Sequence, residues 1–168
     1  EIANQKSEIG HWEIDTALGK RKGKEAVVLT IIEKLTRKFI TIKIANKTSE
    51  SVEKAMSQRR KCFGAKFSTV FKTITSDNGS EFAELSKQEQ YGTEVYFAHA
   101  YSSYERPQNE RHNRIFRKYV PKGKSIKTYS VEQILEFADE MNNTPRKVLD
   151  YQTPDELFDE FLDEIYAA

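Results

Sequence analysis

Three acidic residues, far apart along the chain, stand where a carboxylate could do chemistry. Asp77 ends a β-rich run, Thr69-Val70-Phe71-Lys72-Thr73-Ile74, and opens the tripeptide Asp77-Asn78-Gly79. Asn-Gly is a strong turn signal, because Gly79 can take a positive φ without steric cost. The strand is therefore expected to stop at Asp77, leaving a carboxylate at the strand's C-terminal mouth, the edge where ligands collect in an open α/β sheet. Taken alone, the tripeptide reads more simply as an ordinary turn.

Asp15 and Glu110 change that reading. His11-Trp12-Glu13-Ile14-Asp15-Thr16 alternates as a strand does, with Trp12 and Ile14 on one face and Glu13 and Asp15 on the other. Glu110 falls near the start of a helical stretch expected from Pro107 to about Tyr119, broken by Pro121-Lys122-Gly123. At 100° per residue, His112, Ile115, Phe116 and Tyr119 form the arc opposite Glu110, while Asn113, Arg114 and Arg117 flank it. By itself, Glu110 is explained slightly better by a wet i,i+4 pair with Arg114. Three carboxylates brought together repel one another unless a cation compensates, and oxygen ligands without His or Cys suit Mg²⁺ or Mn²⁺ and not zinc. Glu13 could join such a site, but a fourth acid would overcharge it, and a solvated or lysine-paired side chain is the favoured reading. His11, His99 and His112 lack a zinc-ligand spacing, and His112 is expected to face the core.

The elements that must position these acids follow from periodicity. Ala26 to Ile32 is apolar enough to be a central strand, and Phe39 to Ile44 alternates as a third, so three strands with short connections make an antiparallel meander. Asn46 to Ser49 supplies caps for a helix from about Ser49 to Phe63, with Val52, Ala55 and Met56 on its apolar face, joined there by Arg59 and Cys62 at its edge, and Gly64 ends it. A helix from Ser80 to about Tyr91 stops at Gly92, and Glu94 to Phe97 is a short fifth strand. Tyr129-Ser130 caps a helix over Val131 to Asn142 with Ile134, Leu135, Ala138 and Met141 on its apolar side. Thr153-Pro154 starts a last, acidic helix carrying Leu157, Phe158, Phe161, Leu162 and Ile165. Residues 1–10 read as a lead-in and 11–168 as one domain.

Charge is segregated, which the formal net of +1 hides. Lys20 to Lys66 holds 14 Lys/Arg against 4 Asp/Glu, Arg106 to Lys127 holds 8 against 1, and from Asp150 onward there are 7 acids and no base. Basic regions flanking the carboxylates suggest a polyanion partner, and the acidic tail a solvated helix face. Gly19 to Gly23, with Lys20, Arg21 and Lys22 between, reads as a basic hairpin loop. The single cysteine, Cys62, excludes an internal disulfide framework and suits a reducing compartment. With no apolar run approaching a membrane span and no signal peptide, a cytoplasmic domain without membrane contact is expected.

The motifs Gly10-His11-Trp12-Glu13-Ile14-Asp15, Ser76-Asp77-Asn78-Gly79-Ser80-Glu81-Phe82 and Tyr101 to Glu110, then Tyr119 to Gly123, Asn143 to Lys147 and Tyr151 to Pro154, follow in a specific order. In that order the sequence resembles the DDE transposases of bacterial insertion sequences, specifically insertion sequence family thirty, within the retroviral-integrase-like, ribonuclease H-like superfamily. The resemblance runs from about Gly10 to Phe158, with the second and third acids 33 positions apart. It departs where Pro107, Tyr104 and Ala100 stand in place of the family's usual Gly, Trp and Pro.

The resemblance implies an α/β, ribonuclease H-like (integrase catalytic core) fold, with a mixed five-stranded sheet in which two parallel strands join the meander, flanked by helices. It implies Asp15, Asp77 and Glu110 as catalytic and metal-binding residues for two Mg²⁺ or Mn²⁺ ions, with Asn78 and Gly79 as the positioning turn. The implied activity is metal-dependent DNA strand cleavage and strand transfer. A nuclease without joining activity and an inactive DNA-binding or oligomerisation module are the alternatives. DNA, as transposon ends and target, is the implied partner, met by Arg106, Asn109, Arg111, Arg114, Arg117, Lys118, Lys122 and Lys124, with Tyr101 and Tyr104 available to stack on bases. A homo-oligomer, a bacterial nucleoid location and no nucleotide cofactor complete what the resemblance implies.

Overall fold

The computed structural model describes residues 8–19, 25–99 and 107–167. Its centre is β1, His11–Ala17, which pairs antiparallel with β2, Val27–Glu33, and parallel with β4, Thr73–Ser76. Outside them lie β3, Phe39–Ile44, antiparallel to β2, and β5, Glu94–Phe97, parallel to β4, so the order is β3-β2-β1-β4-β5. The three-strand meander with two parallel strands is the sheet expected from the sequence. Every residue of β2 is buried, as its unbroken apolar run requires.

Helices cover both faces. Trp12, Ile14, Leu29, Ile31 and Ile74 pack with α1, Ser49–Phe63, with the short α2, Phe67–Val70, and with α5, Pro154–Ala167. Val28, Ile32 and Phe39 pack on the other face with Phe116 of α3, Pro107–Phe116, and with Ile134, Ala138 and Met141 of α4, Val131–Asn142. The caps are where the sequence puts them. Thr48 accepts from Ser51 N–H, Gly64 closes α1 at φ 53°, and Ser130 and Gln133 form a reciprocal capping box.

Several expectations are corrected. The β-rich run 69–74 is partly helical, because Phe67, Val70 and Phe71 at i, i+3 and i+4 bury together under Trp12 and delay the strand to Thr73. The helix expected over 80–91 is two 3-10 segments, Ser80–Phe82 and Leu85–Tyr91, in which Phe82, Leu85 and Gln88 are buried at intervals of three, the 3-10 period. Leu135 is exposed, since the buried stripe of α4 is narrowed to Ile134, Ala138 and Met141, and Cys62 at the end of α1 is exposed too. Phe158 and Ile165 of α5 are buried in the core, so the apolar stripe of the acidic helix packs against the domain. No helix among the described residues is long and apolar enough to cross a membrane.

Candidate active site

Strand pairing sets two of the acids side by side. The parallel register joins His11 to Thr73, Trp12 to Ile74 and Glu13 to Thr75. Two residues further along the two strand paths stand Asp15, still within β1, and Asp77; the two-residue side-chain period gives Asp15 the face of Glu13. Asp77 lies one residue past β4, where its Oδ1 accepts the Gly79 N–H at 2.8 Å, and Asn78 donates its amide to Ala98 O at 3.2 Å. Gly79 is needed for a different reason from the one expected. Its φ is −59°, not positive, but an added Cβ would stand 2.9 Å from Asp77 Oδ1 and 2.5 Å from Glu81 Oε2.

The helix carrying the third acid covers the same face of the sheet. Asn109 N–H donates to Glu13 Oε1 at 3.1 Å, and four residues on, Asn113 Nδ2 donates to Asp15 Oδ2 at 3.2 Å and to Asn109 Oδ1 at 3.3 Å. These bonds fix α3 against β1 along one line, with Glu110 one residue after the first contact and three before the second. Glu110 itself is exposed and has no cation within 4 Å among the described residues, so the pair with Arg114 does not form. Among the described residues no three acidic, His or Cys side chains stand close enough to hold a metal ion. The register thus runs the β1 position of Asp15 alongside the end of β4 that precedes Asp77, and α3 carries Glu110 over the face of β1 that holds Asp15 without closing a three-ligand group among the described residues.

Glu13 is not the solvated side chain expected. It is fully buried and accepts from the first turn of α3, where the helix N-terminus favours a negative charge. The guanidinium of Arg37, in the turn after β2, feels both Glu13 and Glu33, though burial and the neighbouring Arg111 leave its pKa below the ordinary value. Two residues expected to meet DNA are used internally. Asn109 is 1% exposed because it faces β1, and Arg117 donates to Leu18 O at 2.7 Å, its pKa lowered by burial against the opposing pull of Asp15. Arg111, Arg114, Lys118, Lys122 and Lys124 are exposed. Arg106, Tyr101, Tyr104 and the 20–22 basic loop lie outside the described residues.

His112 faces the core, as expected. Its ring is 1% exposed, Nδ1 lies 2.9 Å from Gln108 O, and Nε2 faces Arg146 at 3.5 Å. Burial pushes its pKa from 6.5 to about 4, against the hydrogen bond to Gln108 and with help from Arg146, Arg37 and Arg111. The unfolded chain therefore binds a proton that the fold refuses, and stability present above pH 6.5 is lost as the pH falls toward 4. Between pH 7.5 and 5 this contributes about 2 kcal/mol. Denaturant unfolding of the protein and of His112→Gln at both pH values measures it; the same pH dependence in both would remove His112 as the cause.

The donor set fits a hard divalent cation. It offers carboxylate oxygens from Asp15 and Asp77, and the amide oxygen of Asn113, beside Asp15, is buried without a hydrogen-bond partner among the described residues. No role for Asn113 was read from the sequence, although its i,i+4 spacing from Asn109 was the available signal.

Residues 5–103 match the family described as Integrase core domain (rve). The chain is 40% identical, over 95% of its length, to a probable transposase for the insertion-like sequence element IS1161 of Streptococcus salivarius, and covers 44% of that protein. It is 34% identical, over its whole length, to the transposase for insertion sequence element IS4351 of Bacteroides fragilis, covering 50% of it. It is 32% identical over 94% of its length to the transposase InsI for insertion sequence element IS30A of Escherichia coli, covering 40%. The chain thus spans about half the length of the curated relatives it matches. Its fold resembles the catalytic core domain of BIV integrase, with TM-score 0.66 at 18% identity, over 94% of this chain and 98% of that one.

Proposed function

Because the chain belongs to the integrase core domain family, as a DDE transposase core of the IS30 kind, we propose that it cuts DNA strands and joins the freed 3′ end to a second DNA. Membership of the family implies dependence on a divalent metal. Our finer reading is two Mg²⁺ or Mn²⁺ ions on Asp15, Asp77 and Glu110. The observation that supports it is the parallel register of β1 and β4, which aligns Asp15 with Asp77, together with the bond from Asn113 to Asp15 that brings the Glu110 helix to the same face.

Divalent ions, when bound, supply Lewis acidity, making water a nucleophile at neutral pH and offsetting charge on the phosphoryl oxygens. The residues of the chain do the rest. Asp15 presents its charge from within β1 and Asp77 from the turn directly after β4, oriented by the Asn113 amide and the Gly79 N–H respectively. Glu110 approaches from the first turn of α3, exposed and free of a competing cation among the described residues. The exposed Arg111, Arg114, Lys118, Lys122 and Lys124 suit phosphate contacts, which position a duplex with little sequence preference. Water, and then the 3′-hydroxyl of the cut strand, serve as nucleophiles, so no Ser–His or Cys–His pair is required.

The test offers the protein a pre-nicked transposon end and a plasmid target, with Mg²⁺, with Mn²⁺ or with chelator. Joined product is expected with either ion and none with chelator. Cleavage without joining would reduce the protein to a nuclease, and DNA binding without either reaction would make it a binding module.

A further inference from the structure

Glu81 is a carboxylate with 3% exposure, four residues after Asp77, and the assignment of the three acids leaves it without a task. Its Oε1 accepts the hydroxyl of Thr16 at 3.1 Å, and the N–H of that same Thr16 donates to Asp15 Oδ1 at 2.8 Å. On its other side Glu81 closes on the Asp77 turn. The position a Cβ on Gly79 would occupy lies within 3 Å of both Glu81 Oε2 and Asp77 Oδ1, and the Gly79 N–H holds that same oxygen of Asp77. Lys47 Nζ, from the loop before α1, stands 3.7 Å from Glu81 Oε1 and offsets part of its buried charge.

A buried carboxylate is costly unless hydrogen bonds and a cation compensate it, and both are present here. The partners have a common geometry. The hydrogen-bonded pairing of β1 with β4 ends at Glu13 and Thr75, two residues short of the acids, so the register lines the two acids up but does not by itself fix their separation. The side chain of Glu81 spans that gap, from the residue after Asp15 to the turn after Asp77.

We infer that Glu81 is a positioning residue, a clamp that acts through Thr16 to fix the spacing of Asp15 and Asp77. The inference rests on the proposed metal site and adds to it the device that sets the site's width. Glu81 does not touch the cation; it orients the two side chains that do. Partners of this outer kind change metal affinity by about 10–100-fold when removed.

The test measures Mn²⁺ affinity of the protein, by electron paramagnetic resonance of the free ion, alongside amide hydrogen exchange without any ion. Glu81→Ala and Thr16→Val are each expected to weaken Mn²⁺ binding about tenfold or more, and together no further than either alone, because both cut one link. Glu81→Gln, which keeps an oxygen for the Thr16 hydroxyl, and Thr16→Ser, which keeps the hydroxyl, are expected to stay within about threefold of the parent. A Glu81→Gln loss as large as that of Glu81→Ala, with Thr16→Val silent, would make Glu81 a ligand and overturn the clamp. Unchanged Mn²⁺ affinity in both Glu81→Ala and Thr16→Val would overturn it as well. Exchange at the Thr16 and Gly79 amides is expected to quicken in Glu81→Ala, and unchanged exchange there counts against the link whatever the metal does. Mn²⁺ binding that ignores Asp77→Asn would instead sink the three-acid site, and the exchange measurement would still decide the clamp.

Discussion

Asp77→Asn is expected to lower metal-dependent strand cleavage on the order of a thousandfold, about 4 kcal/mol of barrier, while DNA binding is kept or strengthened. The substitution is nearly isosteric. An asparagine Oδ1 still accepts the Gly79 N–H, now held by Asp77 at 2.8 Å, so the turn and β4 keep their shape. What is lost is a full negative charge at the proposed cation site. Removing a negative charge from a surface that also presents Arg111, Arg114 and Lys118 leaves phosphate attraction intact or greater. Parallel measurement of nicking in Mn²⁺ and of DNA affinity at one fixed salt concentration separates the two effects. Cleavage within tenfold of the parent would take Asp77 out of the chemistry, and a matching fall in affinity would assign it to binding.

How far such a site is legible in the sequence depends on how local its determinants are. Ser49–Phe63 and Val131–Asn142 begin and end where their caps say, because Thr48, Gly64 and the Ser130/Gln133 box satisfy backbone groups within a few residues of themselves. The alternation in His11 to Thr16 placed Glu13 and Asp15 together, and β1 does show them to one face. Alternation could not say that this face is covered. That depends on α3, almost a hundred residues later, and it turns Glu13 from an expected solvated acid into a buried anchor of the helix. The same kind of contact misled at 67–70 and 80–91, where β-rich and helix-like residues yielded to packing against Trp12 and to a three-residue burial period. Gly79 was singled out for a positive φ that it does not adopt. The motif revealed the residue, but the crowding from Glu81 that excludes a side chain exists only once the turn has folded.

The other large effect lies on the face of the sheet away from the acids. Trp12 is fully buried, stacked on Phe71 with centroids 4.4 Å apart, edge-on to Phe158 at 5.6 Å, and its indole N–H donates to Val70 O at 2.8 Å. One side chain thus ties the central strand to the segment before β4 and to the acidic C-terminal helix. Truncating it removes the largest apolar surface in the core, opens a cavity between three elements that cannot all move inward, and strips Val70 O of that donor. Trp12→Ala is expected to cost about 4 kcal/mol, which in a domain of this size lowers Tm by roughly 8–16 °C. Trp12→Phe keeps a ring against Phe71 and is expected to cost roughly half as much. Because Trp12 is the chain's sole tryptophan, far-ultraviolet circular dichroism and not intrinsic fluorescence is the suitable probe. Asp15 is three residues along the same strand, so a strand loosened at Trp12 is expected also to blunt the Mn²⁺-induced rise in Tm. A Tm within about 3 °C of the parent for Trp12→Ala would mean that β1 is held by its two neighbouring strands alone, and that the aromatic cluster has no part in fixing the acids.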